Sequence, residues 1–570
     1  MKTRVVCIIQ VILLIASCSI IINGQPAITD KQADLIFSQW NRPDVPGLSV
    51  SVVSNGKIIF KKGYGLSSLE YNIPSASSTV YQVASVSKQV TAFAVLLLES
   101  QGKLSLDDNL SQYFPEMPGY AKSITLKHLL FHSSGLRDYW EIMSSAGWRY
   151  DDVVTREQVL DLVFRQKGLT SRPGYDEIYT NTGYMLIAEV VSRVSGMSFA
   201  AFARENIFRP LKMKHTCIKD DNEDVVMNAA CSYHLTDGIY KRSLINNNVT
   251  GSTNLYTTVE DMSLWALNFQ KPAVGSPEMI RKMMTRGTLD NGDTTNYAMG
   301  LDTGPYRGLM LIGHRGAEAG YRSFYGMFPG QNLAIIVFSN NAGADPASLG
   351  LKIADLLLKD IFPPEPSSDI SAKPAAITSV PGEYKGNESV LALCAGRYEL
   401  RPGLIVTITS EEGGLYAEAH EVPKSRLVRM SEKEFTLPMM RAKLTFAGGD
   451  EISINKILLD MNGQQMVAPK LKDFDPASVT TPEFTGDFYS PELNTVYTLV
   501  TKEGQLTVKF QRMADVLMKP TAPDQFTIDK RRVEFVRDND RKITGFMFSS
   551  GRINNIWFGK INQDSSVHGY

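Results

Sequence analysis

The sequence predicts an N-terminal α/β (α+β) domain, an antiparallel sheet flanked by helices, followed by C-terminal all-β, barrel-like domains. Three observations carry this. Pro46 to Val53 alternates apolar and small polar residues, and Asn55-Gly56 then offers a two-residue hairpin turn before Lys57-Ile58-Ile59-Phe60. Further strands follow at Leu309–Ile312, Ser323–Phe328 and Leu333–Phe338, and apolar helix-compatible runs lie between the hairpin and these strands. Beyond residue 390 the text repeats itself at one offset of about 90 residues.

The elements in order support this division. Residues 1–24 carry Lys2 and Arg4, then an apolar run from Val5 to Ile22, the layout of an export signal. Cleavage before Gln25 would release a soluble protein into the periplasm or another extracytoplasmic space. Ile15-Ala16-Ser17-Cys18 is similar to a bacterial lipobox, which would leave Cys18 lipidated, and an uncleaved anchor is the third reading. The apolar Ile20–Ile22 after Cys18 favours cleavage near Gly24. A first domain is expected over 25–362, then a Pro-rich linker over 363–390. Two β-domains follow over 391–472 and 473–570. Their short alternating runs correspond: Gly396-Arg397-Tyr398 to Gly486-Asp487-Phe488, Phe435-Thr436-Leu437 to Phe526-Thr527-Ile528. They read either as two small barrels or as two halves of one.

Composition narrows the function. With 43% hydrophobic residues, 21% charged residues and a formal net charge of -1, the chain is ordinary globular protein, and nothing marks a nucleic-acid partner. Outside the signal only Cys217, Cys231 and Cys394 remain, with no metal-ligand spacing, so neither a metal nor another cofactor is expected. A Cys217–Cys231 bridge and free thiols are both open. His128 and His132 lie four apart, but no third ligand joins them, which favours structural roles.

The chemistry-bearing stretch is Ser85-Val86-Ser87-Lys88, running into the apolar segment Val90–Leu98. If a helix starts near Ser85, Ser85 and Lys88 share a face one turn apart. Serine needs a neighbouring base to become a nucleophile, and an amine in a partly apolar pocket has its pKa lowered enough to serve. Unsatisfied N–H groups at a helix start would hold an oxyanion. Tyr179-Thr180-Asn181 ends a turn-rich segment before another apolar run. There the phenol would act as a general base if cations lower its pKa, and the amide would bind a substrate carbonyl and hold the lysine. His314-Arg315-Gly316-Ala317 lies between two expected strands, where glycines permit close backbone approach and a cation would meet a negative substrate end.

Taken in this order, Ser85-Val86-Ser87-Lys88, Tyr179-Thr180-Asn181 and His314-Arg315-Gly316 resemble the three motifs of the serine β-lactamase-like, penicillin-binding superfamily. The middle motif points to the branch of class C β-lactamases, D-aminopeptidases and related esterases. The resemblance covers roughly residues 30–360 and implies a β-lactamase/transpeptidase-like fold. It implies Ser85 as acylated nucleophile, Lys88 and Tyr179 sharing proton transfer, Asn181 orienting the substrate amide, His314 and Arg315 on the third-motif strand, and an oxyanion hole at the amides of Ser85 and Ala317. His-Arg-Gly replaces the Lys-Thr-Gly of typical β-lactamases, removing a fixed charge. The expectation is therefore an exported serine hydrolase acting on amides or esters. Its substrates would be small molecules or short peptides, D-residue peptides among them, of cell-wall origin in one reading. A class C-like β-lactamase or penicillin-binding protein and a non-catalytic acyl-binding sensor are the alternatives. The β-domains resemble those that follow the catalytic domain in D-aminopeptidase-like members.

Overall fold

The computed structural model describes residues 28–363 and, with short interruptions, 384–561. The expected signal over 1–24 and most of the expected linker over 363–390 lie outside the described residues.

The chain opens with α1 (Asp30–Ile36), capped by a reciprocal Thr29–Gln32 capping box, and the hairpin β1 (Leu48–Ser54) and β2 (Lys57–Tyr64). Asn55 and Gly56 turn the hairpin with φ of 44° and 77°, the left-handed pair that their side chains tolerate. Helices then form a layer of their own: α2 (Lys88–Ser100), α3 (Tyr139–Ser145), α4 (Asn181–Ser195) and α5 (Val259–Gln270). The chain returns through β3 (Asp302–Tyr306), β4 (Leu309–Glu318), β5 (Tyr321–Phe328) and β6 (Leu333–Ser339), and closes with α6 (Pro346–Leu357). The antiparallel sheet runs β3-β4-β5-β6-β1-β2, so the first hairpin is stitched to the last strand by Leu48↔Ser339 through Ser54↔Leu333.

The two faces of β1 explain its composition. Leu48, Val50 and Val52 pack with Ile335, Val337 and Ile353 in a core shared with α1 and α6. On the opposite face serines replace aliphatics so that helices can approach: Ser51 Oγ shares a 2.7 Å hydrogen bond with Ser263 Oγ of α5, and Ser49 Oγ donates to Ala76 O at 2.7 Å. Burying these hydroxyls is tolerable because each is paired.

Beyond residue 390 the repeat forms two barrels, the first of the two readings left open by the sequence. In the first, Gly396–Arg401, Leu404–Glu411, Gly414–Ala419 and Val422–Arg426 form a four-stranded sheet, and past Leu427 the chain forms a five-stranded sheet ending at Gln464–Pro469. The Tyr398↔Lys470 bridge nearly closes the ring. In the second, the edge strands Val516–Leu517 and Lys519–Ala522 are halves of one stretch kinked at Met518, and Gly486–Ser490 pairs with Ile556–Lys560. The first barrel has its own core, whereas that of the second is continuous with the helical layer of the N-terminal domain.

Candidate active site

Ser85 sits on a 3-10 turn, Ala84–Ser87, and α2 begins only at Lys88. The expected helix start at Ser85 is thus displaced by one turn. Ala84 takes φ 48°, a strained value for a non-glycine residue, and the turn is held from both sides. Gln82 Oε1 accepts from Ala84 N at 2.7 Å, and Gln82 Nε2 is in turn bonded to Thr253 Oγ1 and Glu318. Gly316 lies against the same turn, where a Cβ would meet Val83 O at 2.4 Å and Ser323 Oγ at 2.2 Å. Glycine in the third motif is therefore a packing requirement of the nucleophile turn.

Lys88 is fully buried, and its Nζ reaches Ser85 Oγ at 3.0 Å, Asn181 Oδ1 at 2.9 Å and Ser252 O at 2.9 Å. Burial lowers its pKa to about 7 against the opposing carboxylates of Asp138 and Glu318. A substantial fraction of free amine is then present at neutral pH within hydrogen-bond distance of the hydroxyl it would deprotonate.

Asn181 is the first residue of α4, behind the N-cap Thr180. Its Nδ2 donates to Asp138 Oδ2 at 2.9 Å and its backbone N to the same oxygen at 2.6 Å, while Asp138 Oδ1 caps α3 through Trp140 N at 3.1 Å. A carboxylate only accepts, so Asp138 fixes the amide with Oδ1 toward the lysine. Tyr179 is raised above the usual phenol range because burial outweighs the lowering by Ser85 and Arg552. This is opposite to the lowering by nearby cations that a phenol acting as general base would need. His132 packs under it with ring centroids 4.2 Å apart and accepts from Thr180 N at 3.2 Å, and His128 completes a helix cap with Thr125. Both histidines are structural.

His314, Arg315, Gly316 and Ala317 lie within β4, the strand on which the third motif was expected. His314 is buried and shifted downward, chiefly by desolvation. Its Nε2 meets Tyr297 OH at 2.9 Å and its Nδ1 meets Arg315 O at 2.5 Å, so both ring nitrogens are spent within the protein. Arg315 is exposed at the cavity wall. The cavity, about 760 Å³, is lined by Ser85, Tyr179, Asn181, His314, Arg315 and Ala317 among others, which brings every predicted site residue except the buried Lys88 to its surface.

Three contributors were not read from the sequence. Asp138 and Ser252 hold the amide and the amine, and the nearest signal was Asp138 as a capping residue ahead of an amphipathic run. The third, Arg552, comes from the second barrel. Its guanidinium stands 3.6 Å from both Asp138 Oδ2 and Glu141 Oε1 and 5.6 Å from the Tyr179 ring centre. The loop bearing it is anchored by the buried Arg137, which pairs with the buried Glu492 at 2.5 Å and donates to Asn554 O at 2.6 Å. Cys217, Cys231 and Cys394 are free thiols. Among the described residues no group of three metal-ligating side chains is gathered.

A serine, a buried amine and a glycine-bearing strand edge meet at one cavity, an arrangement with the groups that acyl transfer through a serine requires. The comparisons agree: residues 33–358 match the Beta-lactamase family, and the chain belongs to it. A penicillin-binding protein of Bacillus subtilis (strain 168) is 24% identical over 440 residues, covering 73% of this chain and 93% of that protein. Protein flp of Staphylococcus aureus (strain MW2) is 28% identical over 328 residues, 55% of this chain, and the match spans 63% of that protein's length. Among solved structures, the octameric penicillin-binding protein homologue from Pyrococcus abyssi shares the fold at a TM-score of 0.53 and 23% identity, covering 77% of this chain and all of that one.

Proposed function

We propose that the protein is an exported serine hydrolase that cleaves amide or ester bonds through an acyl-enzyme on Ser85, with short peptides containing D-residues or related esters as substrates. The observation that carries this reading is Lys88 Nζ, 3.0 Å from Ser85 Oγ and with its pKa lowered to about 7. Lys88 takes the hydroxyl proton as Ser85 Oγ attacks the carbonyl carbon. The amides of Ser85 and Ala317 receive the oxyanion. The neutral Tyr179 phenol hands a proton to the leaving group and is reprotonated from Lys88, and water then releases the acyl group by the reverse traffic. Arg315, at the cavity wall, receives an anionic end of the substrate, a task the neutral His314 does not perform.

The test is release of p-nitroaniline from D-alanine and L-alanine anilides, with a p-nitrophenyl ester and nitrocefin as further substrates. Ser85→Ala is expected to abolish turnover of whichever is cleaved, and Lys88→Ala to reduce it by at least about 10²-fold. Turnover that survives in Ser85→Ala overturns the mechanism. Preference for the L-anilide overturns the D-residue assignment while leaving the mechanism in place.

A further inference from the structure

The first barrel encloses an apolar cavity of about 270 Å³, remote from Ser85. A small barrel is just wide enough for side chains to fill it or for one small ligand to enter, so side-chain size decides between the two. The second barrel supplies the reference. Strand pairing places Tyr398↔Val406 where the second barrel has Phe488↔Tyr497, and Phe446↔Ile457 where it has Phe535↔Phe546. Likewise Ile457↔Ala468 stands for Phe546↔Phe558, and Leu444↔Leu459 for Val533↔Phe548.

Val406, Ile457, Leu459 and Ala468 therefore occupy the positions of Tyr497, Phe546, Phe548 and Phe558. All four line the cavity. In the second barrel the four aromatics fill the interior, with Tyr497 and Phe558 at 4.5 Å and Phe546 and Phe558 stacked at 4.7 Å. The void is thus a consistent truncation of one register-matched set, where a packed interior would otherwise form.

Its shape and rim indicate the occupant. Leucine, methionine and alanine side chains make up most of the wall, among them Met440, Met461 and Met466, flexible thioethers that adapt to a linear guest. Arg401 and Glu418 are the charged residues at the wall. Arg401 and Leu404 also line a neighbouring cleft, which α3 borders with Trp140 and Glu141 and the second barrel borders with Lys530 and Arg531. Arg401, Lys530, Arg531 and Arg552 line that outlet against the carboxylates Asp138, Glu141 and Asp529, which leaves a small positive excess with Arg401 at the barrel's own rim. We infer that the first barrel binds a single-chain aliphatic anion, its chain among Val406, Leu459 and Ala468 and its head at Arg401.

The test uses the full chain carrying Ser85→Ala, so that binding is read apart from any hydrolysis. Fluorescence of cis-parinaric acid is expected to rise on binding and to be displaced by decanoate but not by decyltrimethylammonium. Adding Val406→Tyr and Ala468→Phe, the residues of the sister barrel, is expected to weaken parinarate binding at least tenfold with no fall in melting temperature. Arg401→Glu, a surface change that leaves the barrel interior intact, is expected to weaken decanoate about tenfold and to admit the cationic amphiphile. Absence of binding, undiminished binding in the filled barrel, or equal displacement by anion and cation would overturn the proposal. None of these results bears on Ser85 chemistry, which the anilide and ester assays judge separately.

Discussion

The two barrels share strand order and register, yet they spend their residues differently. The second fills its interior with phenylalanines and merges its core with the helical layer, so that Tyr497 OH donates to Ser145 O at 2.7 Å and Arg552 reaches the active-site cavity. The first keeps a separate core with a void inside it. A duplicated scaffold therefore carries two duties: one copy is a wall of the active site, the other a container. Register is common to both because backbone pairing sets it, whereas interior volume is free to diverge through side-chain size.

The largest way to break the contrast is at the anchor. Glu492 is buried and pairs with Arg137, and it also accepts from Lys167 N at 2.7 Å. Glu492→Ala leaves the arginine charge buried and unpaired, a loss of about 3–5 kcal/mol. Denaturant unfolding should show this loss, and an unchanged midpoint would refute the anchor. Next in size is the interior itself. Phe558→Ala should cost about 3 kcal/mol by opening a cavity among Tyr497, Phe546 and Phe548. The matched change in the first barrel, Ala468→Phe, should alter stability by less than about 1 kcal/mol because it enters existing space. Equal and opposite effects at the two sites are excluded by this reading, so the pair of melting curves decides it.

Much of the site was legible because its groups are close in sequence or sit in strongly patterned segments. Ser85 and Lys88 are three residues apart, and the turn-plus-helix geometry leaves their side chains 3.0 Å apart whichever residue formally starts α2. Asn55-Gly56 specified its own turn, and the β-domain repeat survived in Tyr398/Phe488 and Phe435/Phe526 because both barrels bury those rings. The third motif was legible as a strand whose glycines permit close backbone approach. Gly313 and Gly316 show that approach, a Cβ on Gly313 meeting Tyr325 O at 2.0 Å. The condition set for Tyr179, a pKa lowered by nearby cations, is not met because burial pushes the phenol up, and complete burial is not visible in sequence. Asp138 and Arg552 were invisible for a different reason. They meet only through packing of segments more than 400 residues apart, as the bond from Arg137 to Asn554 illustrates with a separation of 417.

The smallest effect sharpens the comparison most, since it asks whether the second barrel acts on chemistry or only on shape. In the proposed mechanism Lys88 acts as base in its free-amine form, so kcat/KM should rise as pH increases through about 7, its lowered pKa. Arg552 contributes to that lowering, because a cation nearby disfavours the ammonium, and its pairing with Asp138 also offsets a carboxylate that favours it. Removing the guanidinium acts in one direction through both routes: the pKa of Lys88 rises and the ascending limb moves to higher pH. For Arg552→Ala a shift of about 0.5 unit is expected, on the order of 0.7 kcal/mol. Arg552→Lys should restore most of it, since a charge is kept although the fork is lost. A fall in kcat with the limb unmoved would reduce Arg552 to a wall residue. A moved limb that lysine rescues would make the second barrel part of the machinery that tunes the base.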